Sequence, residues 1–383
     1  MSDLVKIIGR GEDSKTQFKL RFDSIDSLAV EVSAMANTEG GLVVVGVSDD
    51  AEIVGVDDLH RLNQWISNAC SQKIEPPLNV ITENVNYENK IVVLMKIPMG
   101  TNNPYAVNKS EFWVKVGADK RRATREELKR LMQASGNLYA DEMPVIDTNV
   151  SDIDMFFFRR FCEEEFGMRI DDSTSSIERI LTNLKLMKAG CLTLAGLLLF
   201  GEKPERIKPQ YIVKAISFAG NDASGKEYID SEDICGILPN TFKDTMAFIK
   251  RNLRRKQNGQ SFNLPGILEV PEIAIEEAVV NAIVHRDYFI NSGVRIFIFD
   301  NRVEIISPGN LPNTVSTENI KYGIQIVRNP ILLSFVSKLK IPYRGIGSGV
   351  LRMIKECRDA RISEPEFIED RNAELFKVIF SRN

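Results

Sequence analysis

Between Ile273 and Tyr288 the sequence reads IAIEEAVVNAIVHRDY, a pattern that few folds can accommodate. Its apolar residues recur at helical spacing, while Glu277, Asn281 and His285 fall four apart and so stack on one face of a helix. Ile275, Ala278, Val279, Ala282 and Ile283 cover the remainder. A helix that is apolar over most of its surface belongs in a core, and a carboxylate, an amide and an imidazole on its remaining face then need partners. Two environments satisfy such a stripe: a solvent-facing edge, or a polar pocket built to hold a ligand.

At 383 residues the chain exceeds what one hydrophobic core organises, so two or three domains are expected. Lys and Arg number 49 against 53 Asp and Glu, a net charge of −4, so any nucleic-acid surface must be a local patch and not an overall basic coat. The longest oily run, Leu192 to Phe200, is too short to span a bilayer, and the first residues carry no signal-peptide core. A cytoplasmic protein without a membrane partner is the expectation. Five scattered cysteines, with only His60 and His285 as imidazoles, offer neither a zinc site nor a disulfide framework.

Residues 1–135 read as one α/β domain. Ser24 to Asn37 has helical spacing and ends at NTEGG; LVVVGV (Leu42 to Val47) suits a buried strand, with SDDAEIVGV turning back as its partner. A hairpin is expected around Glu88 to Lys90, a strand at EFWVKVG, and a helix opened by a Thr124/Glu127 capping box. Residues 136–150 are polar and turn-rich, a candidate linker. Residues 151–264 read as a helical connector with a strand at QYIVKAISFAG, and Asp233 to Lys256 as helical. Residues 265–383 open with the quoted helix, continue through a hairpin turning at Asp300-Asn301, and end in a glycine-rich loop, a helix and a strand. The fold class is α+β.

Glu277 and Asn281 are spaced as the N-box of the GHKL ATPases, the group of gyrase B, MutL and the histidine kinases. Gly345, Gly347 and Gly349 then precede a helix, as a phosphate-cradling loop would, and EIISPGNLP and VRNPIL lie between. Residues 270–370 resemble the GHKL-like C-terminal domain often labelled divergent AAA or RecG-related. The resemblance implies a Bergerat-type α/β sandwich binding ATP, with Asn281 ligating Mg2+ between the phosphates and Glu277 activating water if there is turnover. It places Gly309 and the glycine loop against the nucleotide. Arg328 is a candidate for a phosphate or for a structural carboxylate, and His285 and Asp287 for a pair that fixes the helix end or reaches the ligand. Where these proteins carry an adenine-binding aspartate the chain has Ser307, and it has no Walker A lysine loop.

TQFKL followed by AMANTEGGLVVVGVSDDAEIVGV resembles the Schlafen AlbA-like domain, a resemblance extending through FWVKVGADKRRAT. It implies nucleic-acid binding and, in animal Schlafens, a carboxylate-dependent endoribonuclease. Glu12 stands at the place of the first acid and Asp49 or Asp50 at the last, but Gln17 occupies the place of a glutamate and brings no charge for a metal. Lys115, Arg121, Arg122, Arg125 and Lys129 crowd the end of this domain as candidate phosphate contacts, with a solvated charged face as the alternative. The whole reads as a nucleotide-responsive regulator of transcription or defence that binds DNA or RNA and forms a homo-oligomer. The alternatives are a nucleotide-gated Schlafen-type nuclease and a scaffold whose sites bind nothing.

Overall fold

Val43 and Val45 face one side of their strand and Val44 the other, and all three are fully buried, because the sheet they belong to is covered on both faces. The computed structural model describes residues 2–170, 174–224, 227–257, 266–311, 315–323, 326–343, 345 and 347–382. The chain divides into two units, Met1–Leu138 and Tyr139–Asn383, each mixing helices and sheet, so the expected α+β class is the observed one.

The first unit holds helices α1 (Ser2–Arg10), α2 (Ile25–Ala36), α3 (Leu59–Asn68) and α4 (Arg125–Ala134). Its sheet runs in the order Thr16–Lys19, Gly41–Val45, Lys90–Ile97, Ile81–Tyr87. Leu28, Val32 and Met35 of α2 pack with Leu62 and Ile66 of α3 over Val43, Val45, Val93 and Met95. On the other face Leu4 of α1 meets Phe18, Val44, Val92 and Leu94. Each buried valine contributes about 1.5–3 kcal/mol. Ser24 and Ser27 form the capping box that starts α2, and Asn37 ends it. The Asn37 side chain donates to the carbonyls of Tyr105 (2.9 Å) and Trp113 (3.0 Å) and accepts from the Tyr105 amide (2.7 Å), fastening α2 to a second, smaller sheet that includes Glu111–Val116 and Asp119–Arg122. Glu88 and Asn89, both at positive φ, make the tight turn between Ile81–Tyr87 and Lys90–Ile97.

One pairing differs from the sequence reading. SDDAEIVGV makes a single bridge, Val47 to Ile53, and the partners of Gly41–Val45 are Thr16–Lys19 in parallel and Lys90–Ile97 antiparallel. Gly46 and Gly55, at φ of 101° and 95°, bring their backbones so close that a Cβ on Gly46 would lie 3.0 Å from the Gly55 carbonyl carbon. The chain crosses itself there and leaves toward α3 without running alongside the strand.

The second unit contains α5 (Met155–Phe166), α6 (Thr174–Asn183), α7 (Leu194–Phe200), α8 (Pro204–Ile207), α9 (Leu238–Asn252), α10 (Glu272–Val284), α11 (Pro330–Val336) and α12 (Gly349–Asp359). Its mixed sheet has the order Tyr228–Ile234, Val213–Phe218, Val294–Ile298, Arg302–Pro308, Leu375–Ser381, Glu366–Asp370. Helix α10 contacts both α9 and α12 and lays Ile275, Val279 and Ile283 into the core with Ile296 and Ile305 of the sheet. The region read as helical from Asp233 is instead the end of a strand, then α9, then a short strand at Arg255–Lys256; Gly236 at φ 107° and a proline in the first turn of α9 set the break.

Asp141, inside the stretch read as a linker, is fully buried, and its Oδ2 accepts from the amides of Ile331 (2.7 Å) and Leu332 (3.0 Å) at the start of α11. Burial outweighs these bonds and pushes its carboxyl from the ordinary 3.8 up to about 6. A folded-state value above the unfolded one means that its contribution is complete below about pH 4 and is lost as pH rises through about 6. Asp141→Asn keeps an acceptor and has no charge to lose. Urea unfolding should show this variant gaining about 2–3 kcal/mol on the wild type between about pH 4 and pH 7; a difference that does not change with pH would contradict the assignment.

Candidate functional site

The polar stripe of α10 faces a cleft of about 1100 Å3, measured out to its open mouth. Glu277, buried, pairs with the guanidinium of Arg352 from the first turn of α12. Asn281 and His285 are half-buried along the same face. The His285 ring nitrogen Nε2 lies 2.9 Å from the Tyr343 hydroxyl, and burial, helped by the nearby Arg328 charge, pushes its pKa down to about 4, so the imidazole is neutral at pH 7.

Two close approaches shape this cleft. A Cβ on Gly349, the first residue of α12, would lie 2.6 Å from Glu277 Oε2 and 3.3 Å from Asn281 Nδ2, so the helix start rests directly on those side chains. Ser348 precedes it at the N-cap without a side-chain bond to the helix amides, which leaves those donors facing the cleft end. Gly309, at φ 104°, is pressed against Asp287 and Arg328, where a Cβ would lie 2.6 Å and 2.9 Å from the nearest atoms. Gly345 and Gly347 are also at positive φ. Arg344 and Ile346 of the same loop lie outside the described residues.

The structure thus brings Glu277, Asn281, His285, Gly309, Arg328, Gly345, Gly347 and Gly349 to one cleft. The Arg328 guanidinium donates to the carbonyls of His285 (3.1 Å) and Asn310 (2.7 Å), tying the end of α10 to the loop after the Arg302–Pro308 strand. Ser307 donates its hydroxyl to the Ala282 carbonyl at 3.0 Å. Sequence reasoning missed Arg352, whose partner is 75 residues away, and Asn329, whose buried amide donates to the carbonyls of Val284 and Arg286. The position of Arg352 three residues after Gly349 was the available signal for the first.

In the first unit the candidates separate. Glu12 Oε1 accepts from the Gln17 side-chain amide and from the Phe18 amide at 2.6 Å. Asp49 and Asp50 are exposed in the turn beyond the sheet, and among the described residues no group of three or more His, Cys, Asp or Glu side chains is placed to hold a metal ion. Lys115 corrects the sequence reading. Its ammonium is not a surface contact for phosphate but is buried, donating to the Gln17 carbonyl oxygen and the Ala118 carbonyl (2.7 Å) and lying 3.5 Å from Glu31, whose second oxygen takes Lys120 at 2.5 Å. Of the other cations, Arg121 forks onto Glu127 at 2.8 Å, Arg122 pairs with Glu111 at 2.6 Å, Lys129 is 3.6 Å from Glu126, and Arg125 is exposed on α4.

Residues 12–124 match the family model "Schlafen, AlbA_2", and residues 291–380 match HATPase_c_4, "Putative ATP-dependent DNA helicase recG C-terminal". The chain joins a Schlafen AlbA_2 domain to a RecG-type C-terminal domain. These domain types are nucleic-acid-related and ATPase-like, and the second is of a nucleotide-binding kind. The match to the RecG-type domain begins after α10, so Glu277, Asn281 and His285 lie upstream of it. No curated protein matches the chain. The crystal structure of the DIP2311 protein from Corynebacterium diphtheriae aligns with 100% of this chain and 69% of its own, at 19% identity and a TM-score of 0.48. The solution structure of the N-terminal domain of a RecG-related protein from Nitrosomonas europaea aligns with 32% of this chain and 95% of its own, at 16% identity and a TM-score of 0.26. No helix among the described residues is long and apolar enough to cross a membrane.

Lys115 and Glu31 form a buried ion pair in the AlbA_2 domain. Removing one charge of a buried pair strands the other, so Lys115→Met should destabilise this domain by about 3 kcal/mol in urea unfolding, the loss moderated by Lys120. An unchanged unfolding midpoint would show that Lys115 is not held as described.

Proposed function

We propose that the chain is a nucleotide-responsive nucleic-acid-binding protein, with ATP bound in the cleft of the RecG-type domain and DNA or RNA on the AlbA_2 domain. The observation that carries this reading is the contact of Gly349 with Glu277 and Asn281, which sets the uncapped start of α12 beside an acid and an amide. Helix amides there are donors for phosphate oxygens, and Asn281 offers an oxygen to a hard cation. A single amide ligand fits Mg2+, which keeps several waters and takes its remaining oxygens from phosphates. When bound, the ion would neutralise phosphate charge. Glu277 is the candidate to orient water, and Arg352, now paired with it, is placed to exchange that carboxylate for a phosphate. His285, neutral, adds no positive charge and fixes the helix end through Tyr343.

Nucleotide closing the Gly345 to Gly349 loop is the proposed signal, read out as altered nucleic-acid affinity or homo-oligomer formation and serving regulation of transcription or defence in the cytoplasm. On α4 and the strand before it, Arg121, Arg122 and Lys129 sit in exposed ion pairs worth about 0–1 kcal/mol each, which phosphates can replace, and Arg125 joins them. A nuclease would need Glu12 released from Gln17 and Phe18 and joined by further acids, and nothing in the geometry favours it.

Calorimetry with ATP and Mg2+ should show binding by the wild type that weakens at least tenfold in Asn281→Ala, an effect of about 1.4 kcal/mol or more. A folded wild type that binds no nucleotide would end this reading. For the other domain, Arg122→Ala with Arg125→Ala should weaken oligonucleotide binding irrespective of sequence and reduce the slope of log K against log salt by about 0.9 for each lost phosphate contact to duplex DNA. An unaltered slope would exclude these cations from the interface.

A further inference from the structure

Ser307 cannot supply what its position suggests. An aspartate there would present free acceptor oxygens to a base, whereas the Ser307 hydroxyl is spent on the Ala282 carbonyl at 3.0 Å. Three residues further on, Asn310 also lines the cleft, and among the described residues its buried Oδ1 has no hydrogen-bond partner. Native structures leave few buried acceptors in that condition, and on a residue that lines a ligand cleft a small turn of the side chain brings such an acceptor to a donor on the ligand.

The backbone holds this residue firmly. Arg328 donates to the Asn310 carbonyl at 2.7 Å, the next amide, Leu311, donates to Glu369 at 3.0 Å, and the preceding one, Gly309, donates to the Glu374 carbonyl at 2.7 Å. Three successive residues are therefore anchored while the Asn310 side-chain oxygen is left over. Because Arg328 also binds the His285 carbonyl, Asn310 stands by the end of α10, about 12 Å along the helix from Glu277 at 1.5 Å per residue. The acid and the helix start lie at one end of the cleft and the unused acceptor toward the other. The lining of the cleft also includes Phe367 and Phe376, whose rings lie 6.3 Å apart and within 11° of parallel. A flat ring suits that lining.

We infer that Asn310 reads the base of the bound nucleotide, its Oδ1 accepting from the exocyclic amino group of adenine. The amide nitrogen of the same side chain can donate to the adjacent ring nitrogen, the two-point match by which an amide recognises adenine. Asn310 takes over the acceptor role that Ser307 has given up, and the assignment rests on the nucleotide-site reading above.

The test compares ATP with purine riboside triphosphate, which has hydrogen in place of the amino group, and with tripolyphosphate, which has no base, each with Mg2+ in a calorimeter. Wild type should prefer ATP to purine riboside triphosphate by roughly three- to tenfold, the range of one neutral hydrogen bond. Asn310→Ala should erase that preference and leave tripolyphosphate affinity unchanged, which also shows that the variant is folded. Asn310→Asp retains an acceptor and should retain the preference. Equal binding of the two purine nucleotides by wild type, or a preference that survives in Asn310→Ala, would overturn the role of Asn310 while leaving the nucleotide site standing. Failure of a folded wild type to bind all three would overturn both.

Discussion

The contact on which the second unit's cleft depends is one without a side chain. Gly349 brings the backbone at the start of α12 against Glu277 and Asn281, and a Cβ there would push the ends of those two side chains out of place. From that approach follow the reach of Arg352 to Glu277, the exposure of the α12 amides at the cleft end, and the side-by-side packing of α10 and α12. The cleft is therefore made by two helices that share a polar seam, with the sheet as its floor.

Anchoring recurs around it. Arg328 spans from the end of α10 to the Asn310 loop, and Asn329, next in sequence, caps the same helix end through Val284 and Arg286. A guanidinium and a buried amide bonded to carbonyls supply donors that the helix terminus otherwise lacks, so VRNPIL acts as a clasp on that terminus. Asp141 gives α11 the complementary service at its amides. Main-chain groups at two helix ends are thus met by side chains distant in sequence.

Much of this was legible in the sequence wherever the signal is local. The α10 stripe shows itself because residues four apart share a helix face, the Thr124/Glu127 capping box because three residues suffice, and LVVVGV because β-branched residues in a near-unbroken run suit a sheet covered on both sides. What escaped reading depends on distant partners. Arg352 looks like any helix arginine until Glu277 is beside it. Lys115 was counted with a basic cluster because proximity in sequence suggested a shared surface, yet its strand turns it inward onto Gln17 and Glu31. Thr16–Lys19 is too short and too polar to announce a strand, and Tyr228–Ile234 sets three acids and a serine between its apolar ends at the edge of a sheet whose neighbours alone define it.

The buried ammonium of Lys115 has a further meaning for the AlbA_2 domain. Gln17 and Glu31 turn oxygens toward it, and Glu12 holds the Gln17 side chain by its nitrogen. Here the positive charge is carried on the chain itself, so it arrives with folding and cannot be washed out, traded for another ion or withheld. The centre is consequently a fixed part of the architecture.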